Sequence, residues 1–346
     1  MGQKINVGEP MIVRDPKEVK KKYPVWKIND IYQDQLRELF EITHPQLINS
    51  SAFKKLQDKF LEEGKNVGNW IYFPWSGQLI RMVGEEDYYK LRTNRNRNLI
   101  TDKEQKKIKD FTVGVAGLSI GASIAQGLAY QGVGNSMKLA DFDDLETTNL
   151  NRVKAGIHQI GLPKIQIISQ QIYEINPYAN LKLYPKGLMK KDLDDFVKGK
   201  PKPKLIFEII DDFEMKIRLR IKARLAKVPV IMFSNLGDSI LVDIERYDLD
   251  PKLSLFNGVI GNLPEEILKA PKQDANKYAV KLVGVENVPK RVLESVKEIG
   301  KSLVGRPQLV STVTISSGMA AYYARLVALG QFLPSDRKLI KFEDAF

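Results

Sequence analysis

One stretch limits the fold of this chain more than any other. Residues 112–152 read TVGVAGLSIGASIAQGLAYQGVGNSMKLADFDDLETTNLNR. Val113, Val115 and Ala116 make a short apolar run suited to a buried parallel strand, and Gly114, Gly117 and Gly121 let the backbone turn tightly into a helix. The free N–H groups at such a helix start face phosphate. The helix is expected from Ser119 to about Gln131, with Gly132-Val-Gly134 as its cap, and Ser136–Ala140 then makes a second strand ending at Asp141. Asp141 lies beyond Gly121 by about 20 residues, the distance at which a carboxylate meets a ribose hydroxyl in a strand–helix–strand nucleotide unit. The glycine spacing is G-x-x-G-x-x-x-G, so the glycines alone do not select NAD or FAD, whose signature is G-x-G-x-x-G.

The residues after Asp141 favour a triphosphate. A site acting at the α-phosphate of ATP needs fixed cations and a metal, and Asn149, Arg152 and Lys164 supply an amide and two cations. Asp211 comes directly after the strand-like run Leu205–Ile210, which puts it at a carboxyl strand end, where open α/β sheets bind ligands and a carboxylate can hold magnesium against phosphates. The plainer alternatives are that Asp211-Asp212 caps the next helix and that Asp141–Asp144 is a solvated loop.

With these residues in hand, the chain resembles the ThiF/MoeB superfamily of ubiquitin-activating-like enzymes, which adenylate a terminal carboxylate. The resemblance rests on Asp141-Phe-Asp143, Asn149-Leu-Asn-Arg152, Gly161-Leu-Pro-Lys164, Asn176-Pro177 and Asp211-Asp212, in that order. The loop Ala116-Gly-Leu-Ser-Ile-Gly121 is similar to a bacterial and archaeal subgroup with G-L-S-[VI]-G, in which Ser119 adds a hydroxyl to the phosphate cradle of Gly117 and Gly121. The resemblance implies an α/β, Rossmann-like ATP-binding fold with a largely parallel sheet flanked by helices. It also implies that Asp141 and Asp143 belong to the nucleotide site, with Asp141 on the ribose, that Asn149, Arg152 and Lys164 contact phosphates, and that Asp211 serves Mg-ATP. Upstream, Asn94-Arg-Asn-Arg97-Asn-Leu-Ile100 is similar to the family's R-x-x-R-[QN]-x-[IL] segment, so Arg97 is expected to reach the site of a neighbouring subunit in a homodimer. The glutamine that usually comes after the motif arginine is Val153.

Cysteine is absent from the whole sequence. Without a thiol the chain cannot carry the thioester or persulfide intermediates of many relatives, nor build their Cys-x-x-Cys zinc knuckles. Its two histidines, His44 and His158, lie far apart, so no zinc is expected. The reaction expected is adenylation of a carboxylate, the C-terminus of a ubiquitin-like protein or peptide, with ATP and Mg2+ and no covalent protein nucleophile. The other readings kept open are a tRNA-modifying ATP-dependent dehydratase, an NAD- or FAD-dependent oxidoreductase, and a nucleotide-binding scaffold without turnover.

At 346 residues and 43% hydrophobic, the chain can hold a main domain and a smaller one. Residues 1–90 read as a small N-terminal α+β domain. Amphipathic stretches occupy Ile31–Phe40 and Ala52–Glu63, and a turn joins two strands near Gly68–Gly77. Its Trp70, Tyr72, Phe73 and Trp75 form either a grip for a substrate peptide or the core of the domain. Residues 91–346 form the adenylation domain, with a crossover loop at about 252–306 that includes a helix near Pro289–Leu303. Ser311–Gly318 reads as a closing strand and Met319–Leu329 as a closing helix. The net charge is +12; Lys216, Arg220, Arg224 and Lys227 fall on one stripe of a helix over Phe213–Lys227, and seven lysines crowd Lys186–Lys204. Lysine-rich faces are usually just solvated, so nucleic acid is not the favoured partner. The charge-free stretch Phe111–Met137 suits a strand–turn–helix better than a membrane span, which leads to the expectation of a soluble, cytoplasmic protein.

Overall fold

Strand β5 (Val113–Ala116) is buried at every position, as its apolar run requires, and it lies within a seven-stranded sheet. The computed structural model describes residues 8–64, 68–261, 278 and 281–345. The other strands of the sheet are β6 (Ser136–Ala140), β7 (Asn180–Tyr184), β8 (Leu205–Glu208), β9 (Val230–Leu236), β10 (Ser239–Glu245) and β11 (Asp336–Lys341). Their order is β11-β10-β9-β8-β5-β6-β7. The five strands β5 to β9 are parallel, whereas β10 and β11 are antiparallel additions at one edge. Ala116 is in register with both Ala140 and Glu208. The segments leaving these three strands therefore depart at one level of the carboxyl edge, the place where open α/β sheets take ligands.

Helix α6 (Ile120–Gln131) starts from the glycine turn and ends at left-handed Gly132. The long helix α11 (Val310–Leu329) packs along it. Here the expected strand at Ser311–Gly318 is corrected. Thr312, Val313, Ser316, Ser317, Ala320, Ala321 and Ala324 are buried at helical spacing, and the Ser317 hydroxyl donates to the Ser123 carbonyl at 2.5 Å. A Cβ at Gly127 would collide with that hydroxyl. The small residues thus serve close helix approach, and this outweighs the strand propensity of Thr-Val-Thr-Ile.

Helices α8 (Leu193–Lys198) and α9 (Phe213–Leu225) pack against the sheet through Phe196, Phe213, Ile217 and Ala223. Alternating apolar residues over 215–225 give a strand-like period, but Asp212 caps a helix by accepting from the Met215 N–H at 2.8 Å. The expected basic stripe on α9 is also corrected: Arg220 is fully buried, and both it and Lys216 pair with Glu208 beneath the surface.

The chain divides into two compact units. The larger unit holds the seven-stranded sheet; it begins at Lys106 and leaves out Gln170–Tyr178. The smaller, N-terminal unit runs up to Gln105 and takes in Gln170–Tyr178. Its strands β1 (Met11–Val13), β2 (Lys27–Asp30), β3 (Asn69–Phe73) and β4 (Gln78–Met82) form a sheet in the order β1-β3-β4-β2. The short helix α1 (Pro16–Lys20) is capped by Asp15. Helices α2 (Tyr32–Thr43) and α3 (Phe53–Gly64) coincide with the two amphipathic stretches, and α4 (Glu85–Thr93) and α5 (Asp102–Lys109) come next along the chain. Tyr72 and Phe73 are buried core residues, and Trp75 donates to Glu174 at 2.7 Å. Of the expected crossover loop, residues 262–277 and 279–280 lie outside the described residues. Helix α10 (Lys290–Lys297) falls within the helix expected near Pro289–Leu303.

Candidate functional site

At the carboxyl edge, Gly117 has φ 92°, and any Cβ there would strike the Ile209 carbonyl. Only glycine fits both the turn and the close pass of the β8 exit. Gly121, in the first turn of α6, faces Val115 Cγ1, which lies 3.0 Å from where a Cβ would stand. Ser119 occupies the N-cap position without capping its own helix; its hydroxyl instead accepts from Arg152 Nε at 3.3 Å.

Asp141 leaves β6 beside this turn and is buried. One carboxylate oxygen accepts the Leu118 N–H at 2.5 Å and the other the Asp143 N–H at 2.9 Å. Burial raises the Asp141 pKa, and these two hydrogen bonds oppose the rise. Asp143 in turn receives Lys164 Nζ at 2.9 Å, while the Asp143 carbonyl accepts the Lys164 N–H at 2.9 Å. The D-x-D and G-x-P-K motifs are therefore stitched together by backbone and side chain alike. Lys164 is nearly buried and opens helix α7 (Lys164–Ile175).

The N-L-N-R motif forms the next wall. Asn149 is buried, and its Oδ1 closes a tight turn by accepting the Glu146 N–H at 3.2 Å, which assigns that oxygen a structural role. Arg152 lies against the glycine turn. Besides Ser119 it donates to Asn151 Oδ1 at 2.9 Å and to the Thr148 carbonyl at 3.3 Å. Burial lowers its pKa, and the negative charge of Asp211 partly offsets that effect.

The Asp211-Asp212 pair divides its labour. Asp212 caps α9, while the Asp211 side chain is 90% exposed and accepts from Arg306 Nη2 at 2.7 Å. Gly117, Ser119, Gly121, Asp141, Asp143, Asn149, Arg152, Lys164 and Asp211 are thus gathered at one sheet edge. Arg97 belongs to the N-terminal unit, where it contacts Asp102 and the Ile42 carbonyl, each at 3.5 Å.

Sequence reasoning missed two features. Arg306 lies in the low-pattern segment 252–306, and no spacing marks it. Glu208 had a signal, being a carboxylate inside the apolar run Leu205–Ile210. It is fully buried, accepts the Ile210 N–H at 2.7 Å and Lys216 at 2.9 Å, and pairs with Arg220 at 2.5 Å. Arg220 also pairs with Glu245 at 2.6 Å, and its guanidinium stacks 3.9 Å from the Phe256 ring centre. Burial alone would lower the Arg220 pKa, yet Glu245 and Glu208 hold it above its ordinary value. The backbone leading into Asp211 is thereby tied to a buried charge network.

This site can cradle a triphosphate. It offers a glycine turn opening a helix, two cations, a buried carboxylate anchored by the turn, and one exposed carboxylate. Among the described residues no group of three or more histidine, cysteine or acidic side chains could hold a metal by itself. That donor set fits magnesium, which is commonly bound through one or two carboxylates plus substrate phosphates. No described helix is long and apolar enough to cross a membrane.

Residues 93–238 match the ThiF family. An uncharacterised protein of Mycobacterium tuberculosis is 34% identical over 278 residues, which cover 80% of this chain but 38% of that protein, so the chain spans well under two thirds of it. The molybdopterin-synthase adenylyltransferase of Haemophilus influenzae is 26% identical over 66% of this chain and 91% of its own length. Among solved structures, the tRNA N6-threonylcarbamoyladenosine dehydratase of E. coli, in complex with AMP, has the same fold with a TM-score of 0.51. It is 18% identical, over 72% of this chain and 98% of that one. With the glycine turn and the residues from Asp141 to Lys164 at one sheet edge, and the family match running from Thr93 through that turn to Asp238, residues 93–238 are a ThiF-family domain.

Proposed function

We propose that the protein is an ATP-dependent adenylyltransferase that activates a carboxylate as its acyl-AMP. The observation that carries this reading is the hydrogen bond from Arg152 to the Ser119 hydroxyl of the glycine turn, with Lys164 held on Asp143, which is itself joined to the turn through Asp141. A carboxylate oxygen of the substrate attacks the α-phosphorus of ATP; the bond to the bridging oxygen breaks and pyrophosphate leaves. Arg152 and Lys164 neutralise charge on the phosphates, the amides of the glycine turn orient them, and Asp141 meets the ribose. Asp211 is the residue that would hold magnesium, which would supply further charge neutralisation. Catalysis is then positioning and electrostatics, since a chain without cysteine offers no thiol to trap the acyl group.

The carboxylate we favour is the C-terminus of a ubiquitin-like protein or peptide. In the N-terminal unit, a cavity of about 240 Å3 lined by Phe73, Gln78, Met82, Tyr88 and Glu174 is suited to a side chain of such a peptide, which makes that unit the candidate clamp. Homodimers in which Arg97 serves the partner's site complete the reading. The net charge of +12 supports a second reading, action on a modified tRNA base.

ATP–pyrophosphate exchange tests the proposal. Exchange should depend on a protein or peptide carboxylate and on magnesium, and Asp211→Asn should remove the magnesium response. Exchange driven only by a tRNA carboxylate would favour the second reading. Saturable NADH binding without ATP binding would overturn both. For the dimer, Arg97→Ala mixed with Asp211→Asn should regain activity after verified subunit exchange, because one hybrid site receives both intact residues. No recovery would leave Arg97 without a role in the partner's site.

A further inference from the structure

Asp211 has a counter-ion that none of the sequence motifs names. Arg306 Nη2 lies 2.7 Å from its Oδ1, and both side chains are open to water. Two residues on, the Gln308 carbonyl accepts the Asn151 side-chain amide at 2.8 Å, next to Arg152. The stretch Ile299–Gln308 is therefore fastened to the nucleotide cluster twice, once by charge and once by an amide. The stretch itself is tightly turned: the Gly300 N–H donates to the Leu303 carbonyl at 2.8 Å and the Ser302 hydroxyl to Glu298 at 2.9 Å.

The two fastenings differ in kind. An ion pair this exposed is weak and yields to a stronger counter-charge, whereas the amide bond is indifferent to metal. A divalent cation at Asp211 would put two positive charges within a few ångströms of the guanidinium, and the mutual repulsion drives them apart. We infer that Arg306 is an exchangeable counter-ion of Asp211, displaced when a nucleotide-bound divalent cation takes the carboxylate. Its displacement frees Ile299–Gln308 at one end and leaves it hinged at Asn151. Metal–nucleotide binding is thereby reported to the chain just ahead of α11. This inference rests on the nucleotide reading of the site.

The lack of cysteine makes the test clean. Val304 is fully exposed and two residues from Arg306, so Val304→Cys carries a single environment-sensitive fluorophore. Titration with α,β-methylene-ATP and magnesium should give a saturable signal whose magnesium midpoint equals that of analogue binding by calorimetry. Without magnesium the label should stay silent. Arg306→Gln should abolish the signal and lower the calorimetric magnesium midpoint about two- to five-fold, because an internal competitor is gone. Arg306→Lys should keep the signal. A silent label in a protein that calorimetry shows to bind the metal–nucleotide would overturn the inference, and so would an unchanged midpoint in Arg306→Gln. If calorimetry finds no nucleotide binding at all, the nucleotide reading fails first and this inference falls with it.

Discussion

The larger unit contains two arginine-centred clusters built from similar residue types and completed in opposite ways. Around Arg220 both charge partners are protein: Glu208 and Glu245 take its Nη1 and Nε, Tyr247 and the Phe256 N–H take the remaining Glu245 oxygen, only Nη2 is without a hydrogen bond, and Arg220 and both carboxylates have no exposure. Around Arg152 the hydrogen-bond partners are a hydroxyl, an amide oxygen and a carbonyl, all neutral. Charges completed by protein hold a fold in one arrangement. Charges met only by neutral dipoles keep their attraction for an anion that comes from outside.

Substitutions can break this contrast. The largest effect is expected at Arg220→Ala, which strands two buried carboxylates and should cost about 3–5 kcal/mol of stability by chemical denaturation. A loss of less than about 1 kcal/mol would place Arg220 in the same class as Arg152. Next come Arg152→Ala and Lys164→Ala. Each should slow pyrophosphate exchange by roughly 10²–10³-fold, as removal of an oriented charge does, and change unfolding free energy by no more than about 1 kcal/mol. Exchange at the wild-type rate in both variants would remove the phosphate role.

The smallest effect sharpens the comparison through pH. Asp243, buried beside Arg337 and Asn257, has its pKa pushed up to about 6 by burial and by Glu245. A carboxyl raised above its unfolded value contributes stability below the unfolded pKa and loses it as pH rises through the folded one. Between about pH 4 and 7, wild type should therefore lose on the order of 2 kcal/mol relative to Asp243→Asn. Parallel stability curves for the two proteins would show that Asp243 stays ionised throughout.

The glycine turn, β5, α6 and β6 are legible in the sequence because each depends on local chemistry: an apolar run, a residue able to take positive φ, and a cap. Asp141, Arg152 and Lys164 are legible as an ordered set of motifs, and the structure brings them to one edge because β5, β6 and β8 end in register. The failures share a different cause. Ser311–Gly318 has strand propensity, and only the close approach of Gly127 turns it into helix. Arg220 sits on a basic stripe, and only Glu208 and Glu245 on two separate strands turn it inward. Arg306 reaches Asp211 across 95 residues of sequence, and no local pattern encodes a contact of that range.

Helix α6 is buried over nearly its whole circumference, yet the Ser317 that seals its far side lies 194 residues after Ser123. At a ribosomal rate of roughly 5–20 residues per second, about 10–40 s pass between the synthesis of the helix and that of its cover. During that interval the apolar face of α6 that α11 later covers has no cover from that helix. The helix that opens from the glycine turn is thus made early and covered late, so a nascent chain stalled before α11 would expose apolar surface of α6 to aggregation.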